Sequence, residues 1–251
     1  MSKEYLVDIV TNHIINSNSA DIGISLEKLA VLISDEIKNY SKVNLYNNRA
    51  GQSNNLSFPS IPLGISNRHI HLTSNTFHKL FGNDTEFESM RPLYQPGEFA
   101  SKHLLTIVGP KLRSIPNVRI LGPLRKYDQV EVSLTDAIFL GIDPPVANSG
   151  SLENAEPLTL VGPEGSVYLE KCAIIANRHI HMSNKEASVF GLSNGDYCKI
   201  KISGEKSTIF ENVLIRTNEN WKLQIHLDTD DANAANVRVE SSVEFIEKMK
   251  R

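Results

Sequence analysis

The chain has 251 residues, a formal net charge of −3 and a hydrophobic content of 40%. This composition is ordinary for a globular protein and argues against disorder along the whole chain. Because 26 basic residues stand against 29 acidic ones, the basic excess of most nucleic-acid binders is missing, and we expect no nucleic-acid partner. No apolar run approaches the roughly 20 residues that span a bilayer. We therefore expect no membrane partner and, since no signal peptide follows Met1, a cytoplasmic location.

Residues 1–57 differ from the rest of the chain. Apolar residues recur at helical spacing over 4–15 and again over 26–37, which predicts two amphipathic helices. The segment 41–57 is rich in Ser, Asn and Gly, as flexible linkers are. We predict an N-terminal helical extension and linker over residues 1–57.

From Pro59 onward, short apolar runs separated by Gly and Pro predict strands that follow one another, as in a barrel or a sandwich. We predict strands over 104–108, 118–121, 129–134, 158–161, 174–176, 199–202, 213–215 and 222–227. Helices are predicted over 74–81 and 184–190, and the Gly-Pro pairs at 109–110 and 162–163 predict hairpin turns. The body of the protein is predicted to be mainly β.

The chain contains an internal duplication. The octet SNRHIHLT at 66–73 recurs as ANRHIHMS at 176–183, and each copy is followed by a predicted helix and Phe-Gly. More weakly, 117–120 aligns with 212–215, and the run 130–134 aligns with 223–227. The two halves therefore share one β unit, and packing about a pseudo-twofold axis would bring their matching motifs together.

Each octet carries a His-x-His pair, His69 with His71 and His179 with His181. In an extended strand, residues i and i+2 face the same side, so each pair directs two imidazoles to one point. Neutral imidazole is a good ligand for zinc and other borderline divalent metals. The structural alternative is a turn in which Arg68 and Arg178 pair with carboxylates.

A third ligand for each pair is expected from a neighbouring strand. His226 is the only histidine downstream of the second pair. In the alignment it matches Ser133, and Glu131 lies two residues earlier, on the same face of a strand. Three protein ligands with an open position are typical of catalytic zinc. The predicted sites are His69, His71 and Glu131 for one ion, and His179, His181 and His226 for the other.

Arg125 and Lys126 follow a Gly-Pro turn, where a planar guanidinium could bind phosphate or carboxylate. A basic pair at a strand start is more often a solvated edge. The sequence has no P-loop, no Gly-x-Ser-x-Gly nucleophile elbow and no G-x-G-x-x-G motif. Cys172 and Cys198 have no neighbouring base, and we predict that both are buried as small hydrophobic residues.

These motifs together resemble the PduL-type phosphotransacylases, also called phosphate propanoyltransferases. The resemblance covers about residues 58–238. It is carried by IPLGISNRHIH at 61–71, QPGEFA at 95–100, LGP with Arg125, QVE at 129–131, SLTDA at 133–137, NRHIHM at 177–182, and His226 before DTDDANAA. His103 is a departure, because an acidic residue is expected there.

The resemblance implies two duplicated β-barrel domains with short capping helices. Barrel 1 would combine residues 58–67 with 177–251, and barrel 2 would span 68–176. It also implies two Zn²⁺ ions per chain on the two triplets and Arg125 as the catalytic, phosphate-binding residue. The implied reaction exchanges a short acyl group between coenzyme A and inorganic phosphate, so the expected partners are acyl-CoA and phosphate.

Two other functions stay open. A zinc-dependent hydrolase of the amidohydrolase kind also carries His-x-His in its first strand, but it needs a β/α barrel with alternating helices. A non-catalytic metal-binding module would be favoured by filled four-ligand sites. We expect a homo-oligomer. Some relatives are microcompartment cargo, which suggests that the 1–57 extension contacts a microcompartment shell or other cargo. The alternative is that its helices pack on the body or mediate oligomerisation.

Overall fold

A computed structural model describes residues 58–238 and 240–250. The predicted N-terminal helices and linker lie outside these residues. The described chain is mainly β, as predicted, with fourteen strands and four short helices. The strands are β1 (Leu63–Ser66), β2 (His69–His71), β3 (Ser89–Pro92), β4 (Phe99–Val108), β5 (Ser114–Gly122), β6 (Gln129–Glu131), β7 (Val146–Ala147), β8 (Glu156–Val161), β9 (Ser166–Ala176), β10 (His179–Met182), β11 (Tyr197–Ser203), β12 (Thr208–Thr217), β13 (Gln224–Asp228) and β14 (Ser242–Lys248). The helices are α1 (Ser74–Phe81), α2 (Leu134–Leu140), α3 (Asn184–Phe190) and α4 (Thr229–Ala234).

The strands form two sheets. One has six strands in the order β1-β13-β10-β12-β11-β14. Its two edges are joined where the Ile61 N–H donates to the Val243 carbonyl at 3.1 Å. In the other sheet, β4, β5, β2, β6, β9 and β8 pair in turn, and β8 pairs back to β4, which closes a ring of six strands. The first strand of the described chain thus lies with the C-terminal strands, while the predicted domain boundaries stay a prediction.

Each sheet surrounds its own apolar core. In β11, buried and half-exposed residues alternate, and Cys198, Ile200 and Ile202 are fully buried. Phe77 and Ile120 are buried in the core of the second sheet. Period-two burial is what a strand with one face on the core requires. Each buried large side chain contributes roughly 1.5–3 kcal/mol through the hydrophobic effect.

The strand pairing around the two His-x-His pairs is the same in both sheets. His69 lies directly opposite Glu131 on β6, and His179 lies directly opposite His226 on β13. The predicted alignment of Ser133 with His226 was therefore wrong by two residues. A shift of two preserves the alternation of apolar residues, so that pattern alone could not detect the error.

The predicted helices at 74–81 and 184–190 are confirmed, but α2 and α4 were missed. The strand predicted over 129–134 ends at Glu131, because Ser133 caps α2. Its hydroxyl accepts from the backbone of Asp136, whose carboxylate accepts in return from the Ser133 N–H. Asp228 is the N-cap residue of α4, and its side chain accepts from the Asp231 N–H. The Ser-x-x-Asp spacing is a recognisable capping signal.

The architecture also bears on two expectations. Within the described residues, no helix has the length and apolar character needed to cross a membrane. The sheets there mix parallel and antiparallel pairs with only four short helices. The alternating β/α barrel that the hydrolase alternative requires is absent from this part of the chain.

The Gly-Pro segments are hairpin turns, as predicted. One joins β4 to β5 and the other joins β8 to β9, each an antiparallel pair. Both turns pack against the end of a helix. A Cβ added at Gly109 would lie 2.1 Å from the Leu140 carbonyl oxygen, and one at Gly162 would lie 2.5 Å from that of Leu80. Only glycine allows this close approach of the backbone.

The close approach at Gly109 predicts a stability defect for Gly109→Ala. Either the turn or the end of α2 must move, and overpacking of this kind costs about 1–3 kcal/mol. We expect a fall in Tm of roughly 3–10 °C by thermal unfolding. Gly165→Ala is the matched control, because a Cβ there would lie 3.5 Å from its nearest neighbour. Equal Tm values for the two variants would contradict this packing.

Candidate active site

The first predicted triplet comes together on two paired strands. His69 and His71 lie on β2 and Glu131 lies opposite on β6, and one ligand atom from each lies within 4.8 Å of the others. The Nε2 atom of His69 is 3.4 Å from Glu131 Oε2. All three side chains are buried.

The second triplet is built in the same way from β10 and β13. Ligand atoms of His179, His181 and His226 also lie within 4.8 Å of one another. The rings of His179 and His226 stack with centroids 4.9 Å apart and an interplanar angle of 4°. The two triplets thus share one geometry, with an imidazole pair on one strand and the third group on its antiparallel neighbour.

Backbone carbonyls orient the leading histidine of each pair. The Nδ1 atom of His69 is 2.8 Å from the Asn67 carbonyl oxygen, and His179 Nδ1 is 2.8 Å from that of Asn177. Because a carbonyl can only accept, Nδ1 must carry the proton. The bare nitrogen is then Nε2, the usual arrangement for a metal-binding histidine held by a hydrogen bond on its other nitrogen.

Several ring nitrogens in the triplets have no hydrogen-bond partner among the described residues. They are His71 Nδ1, both nitrogens of His181 and His226 Nε2, all of them buried. Leaving a buried polar atom unpaired costs roughly 1–3 kcal/mol. Four such atoms within two clusters of metal-binding side chains fit a bound metal ion well.

The protonation state of these histidines also fits metal binding. Burial, with further repulsion from His179, lowers the pKa of His181 to about 2 and that of His226 to about 3. Burial likewise holds the pKa of His71 well below its usual value. These imidazoles are therefore neutral near pH 7, and the neutral form is the one that binds metals.

The arginines that precede the histidine pairs form ion pairs, as the structural alternative required. Arg68 donates to Asp136 at 2.7 Å and Arg178 donates to Asp231 at 2.7 Å. Asp136 lies in the first turn of α2 and Asp231 in the first turn of α4. Each arginine thus ties a histidine strand to the helix that follows the third ligand. The structural role of the arginines is therefore compatible with metal binding by the neighbouring histidines.

Arg125 lines the same cavity as the two triplets, which has a volume of about 400 Å³. Its Nη2 donates to Glu98 at 3.2 Å and its Nη1 donates to the Tyr127 hydroxyl at 2.9 Å. Its backbone N–H donates to the Leu72 carbonyl at 2.7 Å, which fixes the loop to the end of β2. The guanidinium is therefore held in a defined plane at the cavity wall.

Gln129 is a site residue that the sequence reasoning missed. Its amide Nε2 donates to Glu131 Oε1 at 2.7 Å and to the Ser149 hydroxyl at 2.9 Å. The Gly150 N–H donates to the side-chain amide oxygen of Gln129, Oε1, at 2.7 Å. A fully buried Gln two residues before Glu131, on the same strand face, thus fixes the carboxylate. The two-residue spacing between Gln129 and Glu131 was the sequence signal that could have identified Gln129.

Arg216 and Trp221 were also missed. Arg216 lies beside His181 in the parallel pairing of β10 with β12. The Trp221 ring is centred 4.1 Å from the His181 ring, and the Arg216 guanidinium carbon lies 5.4 Å from the indole centroid. Neither residue belongs to a motif that identifies it without coordinates.

The remaining polar candidates lie elsewhere. His103 packs in an aromatic cluster with Phe77 and Phe87, outside the cavity lining. Cys172 and Cys198 are buried, as predicted, and burial raises the pKa of each thiol to about 12. Neither thiol lines the cavity, so neither is available as an ionised nucleophile there.

Comparison with known proteins identifies the family. The family model described as phosphate propanoyltransferase matches residues 62–238. A phosphate propanoyltransferase of Lachnoclostridium phytofermentans is 47% identical over 178 residues, which cover 71% of this chain and 83% of the relative. Another, of Thermotoga maritima, is 46% identical over 190 residues, covering 75% and 90%. The resemblance found in the sequence motifs is confirmed, and the chain belongs to the phosphate propanoyltransferase family.

Proposed function

We propose that this protein is a phosphate acyltransferase that exchanges a short acyl group between coenzyme A and inorganic phosphate at a dinuclear zinc site. The observation that carries the proposal is the convergence of two triplets of potential metal ligands and Arg125 on one cavity, in a chain of this family. The names of the relatives support phosphate as one substrate and a propanoyl group as the group transferred, and acyl-CoA as the other substrate follows from the family resemblance.

The metal ions would be held by the two triplets, with Gln129 and the Asn67 and Asn177 carbonyls orienting three of the ligands. Zinc binds thiolates well and acts as a Lewis acid, so a bound ion supplies stabilisation for a departing thiolate and for a developing negative charge. A site with one carboxylate differs from a site with three histidines in charge. Two bound ions would therefore be in different electrostatic environments.

Arg125 is proposed to bind the phosphate. A guanidinium matches the oxygens of a tetrahedral anion, and its charge offsets the repulsion between phosphate and the negative charge that develops on the substrate. The pKa values of His71 and His181, one from each triplet, are lowered in part by this charge. Glu98 and Tyr127 hold the guanidinium in place before substrate binds, which reduces the entropy lost on binding.

In the forward reaction, a phosphate oxygen attacks the thioester carbonyl carbon, the C–S bond breaks, and the sulfur leaves with the electron pair as the coenzyme A thiolate. The side chains supply position and charge for this direct transfer. An acyl-enzyme is not part of the proposal, because both cysteines are buried away from the cavity with raised pKa values. The same arrangement can run from acyl phosphate to acyl-CoA.

The wider setting is also a proposal. We place the enzyme in the cytoplasm, with a bacterial microcompartment as the alternative, and we expect a homo-oligomer. The family model begins at residue 62, which supports an accessory role for residues 1–57. Fractionation of cells that express a chain without residues 1–57 tests the microcompartment alternative, since a docking segment is needed only for encapsulation.

His226→Ala tests the metal site and the reaction together. The variant removes one imidazole from one triplet, so we expect bound zinc to fall from about two ions per chain to about one, and metal-dependent activity to fall by at least about 100-fold. Elemental analysis measures the zinc, and release of free thiol from propanoyl-CoA with phosphate measures the activity. His78→Ala is the control, because His78 lies outside the cavity lining. Wild-type protein without transition metal, or full activity in His226→Ala, would contradict the proposal.

Arg125→Gln tests the phosphate site. Losing a charge-assisted, two-point contact should raise the phosphate KM by about 10- to 100-fold. The KM for acyl-CoA should change by less than about threefold, because the thioester carries no charge at its reacting end. Steady-state kinetics with each substrate varied in turn measures both constants. Lys126→Gln, a neighbouring exposed cation outside the cavity lining, is the matched control. An unchanged phosphate KM in Arg125→Gln would exclude this role.

A further inference from the structure

Arg216 lines the cavity but differs in its contacts from Arg119 and Arg125, which also line it. Arg119 donates to the Ser101 carbonyl at 2.7 Å, and Arg125 pairs with Glu98. The half-buried Arg216 side chain, in contrast, makes no hydrogen bond or ion pair with any residue in 58–238 or 240–250. Among the described residues, the indole face of Trp221 is its one close aromatic contact.

The contact with Trp221 leaves the hydrogen-bonding groups of Arg216 free. A guanidinium over an aromatic ring uses its flat face, whereas its five N–H donors point outward in its own plane. Partial burial of these donors without a partner is unfavourable, and desolvation lowers the pKa of Arg216. The arrangement is that of a cation held ready for an anion that residues 58–238 and 240–250 do not supply.

The position of Arg216 indicates where that anion binds. The residue lies beside His181 on the neighbouring strand. Its charge contributes to the lowered pKa values of His179 and His226 as well. The charge of Glu131 in turn raises the pKa of Arg216, and the charge of Arg125 lowers it. Arg216 therefore lies within electrostatic range of both triplets, and the repulsion between it and Arg125 is relieved when an anion of charge two or more binds near both.

We propose that Arg216 binds the phosphoryl oxygens of inorganic phosphate or acyl phosphate together with Arg125, and that Trp221 holds the guanidinium in position for this. The identity of the anion rests on the proposed function. Only one of the two sheets supplies an arginine at this position. Arg216 lies opposite His181. In the other sheet, Arg119 lies opposite His69, so the equivalent position, two residues further along β5, is Leu121.

Coenzyme A offers a second source of the same chemistry in its own phosphate groups. The pantetheine arm separates those phosphates from the thiol, so an arginine beside the histidine triplets is placed for the reacting phosphoryl group. Calorimetric titration of the full-length, zinc-loaded protein with inorganic phosphate, and separately with coenzyme A, distinguishes the two sources. Trp221 is the only tryptophan in the chain, so its fluorescence gives a second readout of phosphate binding.

We expect Arg216→Gln to weaken phosphate binding by about 10- to 100-fold, the range for loss of a charge-assisted contact. Arg216→Lys should weaken it by about 3- to 10-fold, because an ammonium keeps the charge without the planar fork. The Kd of coenzyme A should change by less than about threefold. Arg113→Gln, which changes an exposed arginine outside the cavity lining, should bind phosphate as the wild type does.

The inference is overturned if the wild-type protein does not bind phosphate, or if the phosphate Kd is unchanged in the Arg216 variants. Weakened binding of coenzyme A alone would also overturn it. Should Arg216→Gln fail to fold or lose zinc, Arg216→Lys decides the question. The proposed function is tested separately by thiol release in the wild type. If that activity is absent but phosphate binding still depends on Arg216, the anion site stands and the proposed reaction is wrong.

Discussion

In an antiparallel strand pair, directly opposed residues have Cβ atoms about 4.5–5.5 Å apart, and this protein uses that spacing twice. His69 faces Glu131, and His179 faces His226. The second histidine of each pair joins from two residues along the same strand. Side chains from only two strands therefore converge on one point without any loop having to bring them together. The positions of Arg125, Gln129 and the capped helices follow from where these strands end.

The arrangement concentrates unpaired polar groups where a protein core ordinarily avoids them. His181 and His226 are kept neutral by burial and by the neighbouring charges. Positive charge from Arg125 and Arg216 reaches the same cavity, where Glu98 pairs with Arg125 and Glu131 belongs to the first triplet. A cavity with this balance favours metal ions at its histidines and anions at its arginines. That combination is what an exchange between phosphate and a thiolate requires.

Local periodicity made much of this site predictable. His69 and His71 lie two residues apart on a strand, so their shared face could be read from the sequence. Glu131 was identified although its register was assigned two residues away, because a shift of two leaves the strand face unchanged. Arg216 could not be found in the same way. The role proposed for it rests on the lack of a hydrogen-bond partner in the described part of the chain and on a contact with Trp221, and both depend on how separate strands pack. The beginning of α2 was missed because the capping interaction of Ser133 interrupts an apolar run that otherwise continues the strand pattern.

Each triplet, one of two histidines and a glutamate and one of three histidines, is proposed to bind one metal ion on a shared cavity. Anomalous diffraction from crystals of the full-length protein, recorded above and below the zinc absorption edge, tests this claim most directly. We expect two anomalous peaks per chain, one among His69, His71 and Glu131 and one among His179, His181 and His226. A map from zinc-loaded crystals with no peak at either triplet, or with zinc bound only at other residues, would contradict it.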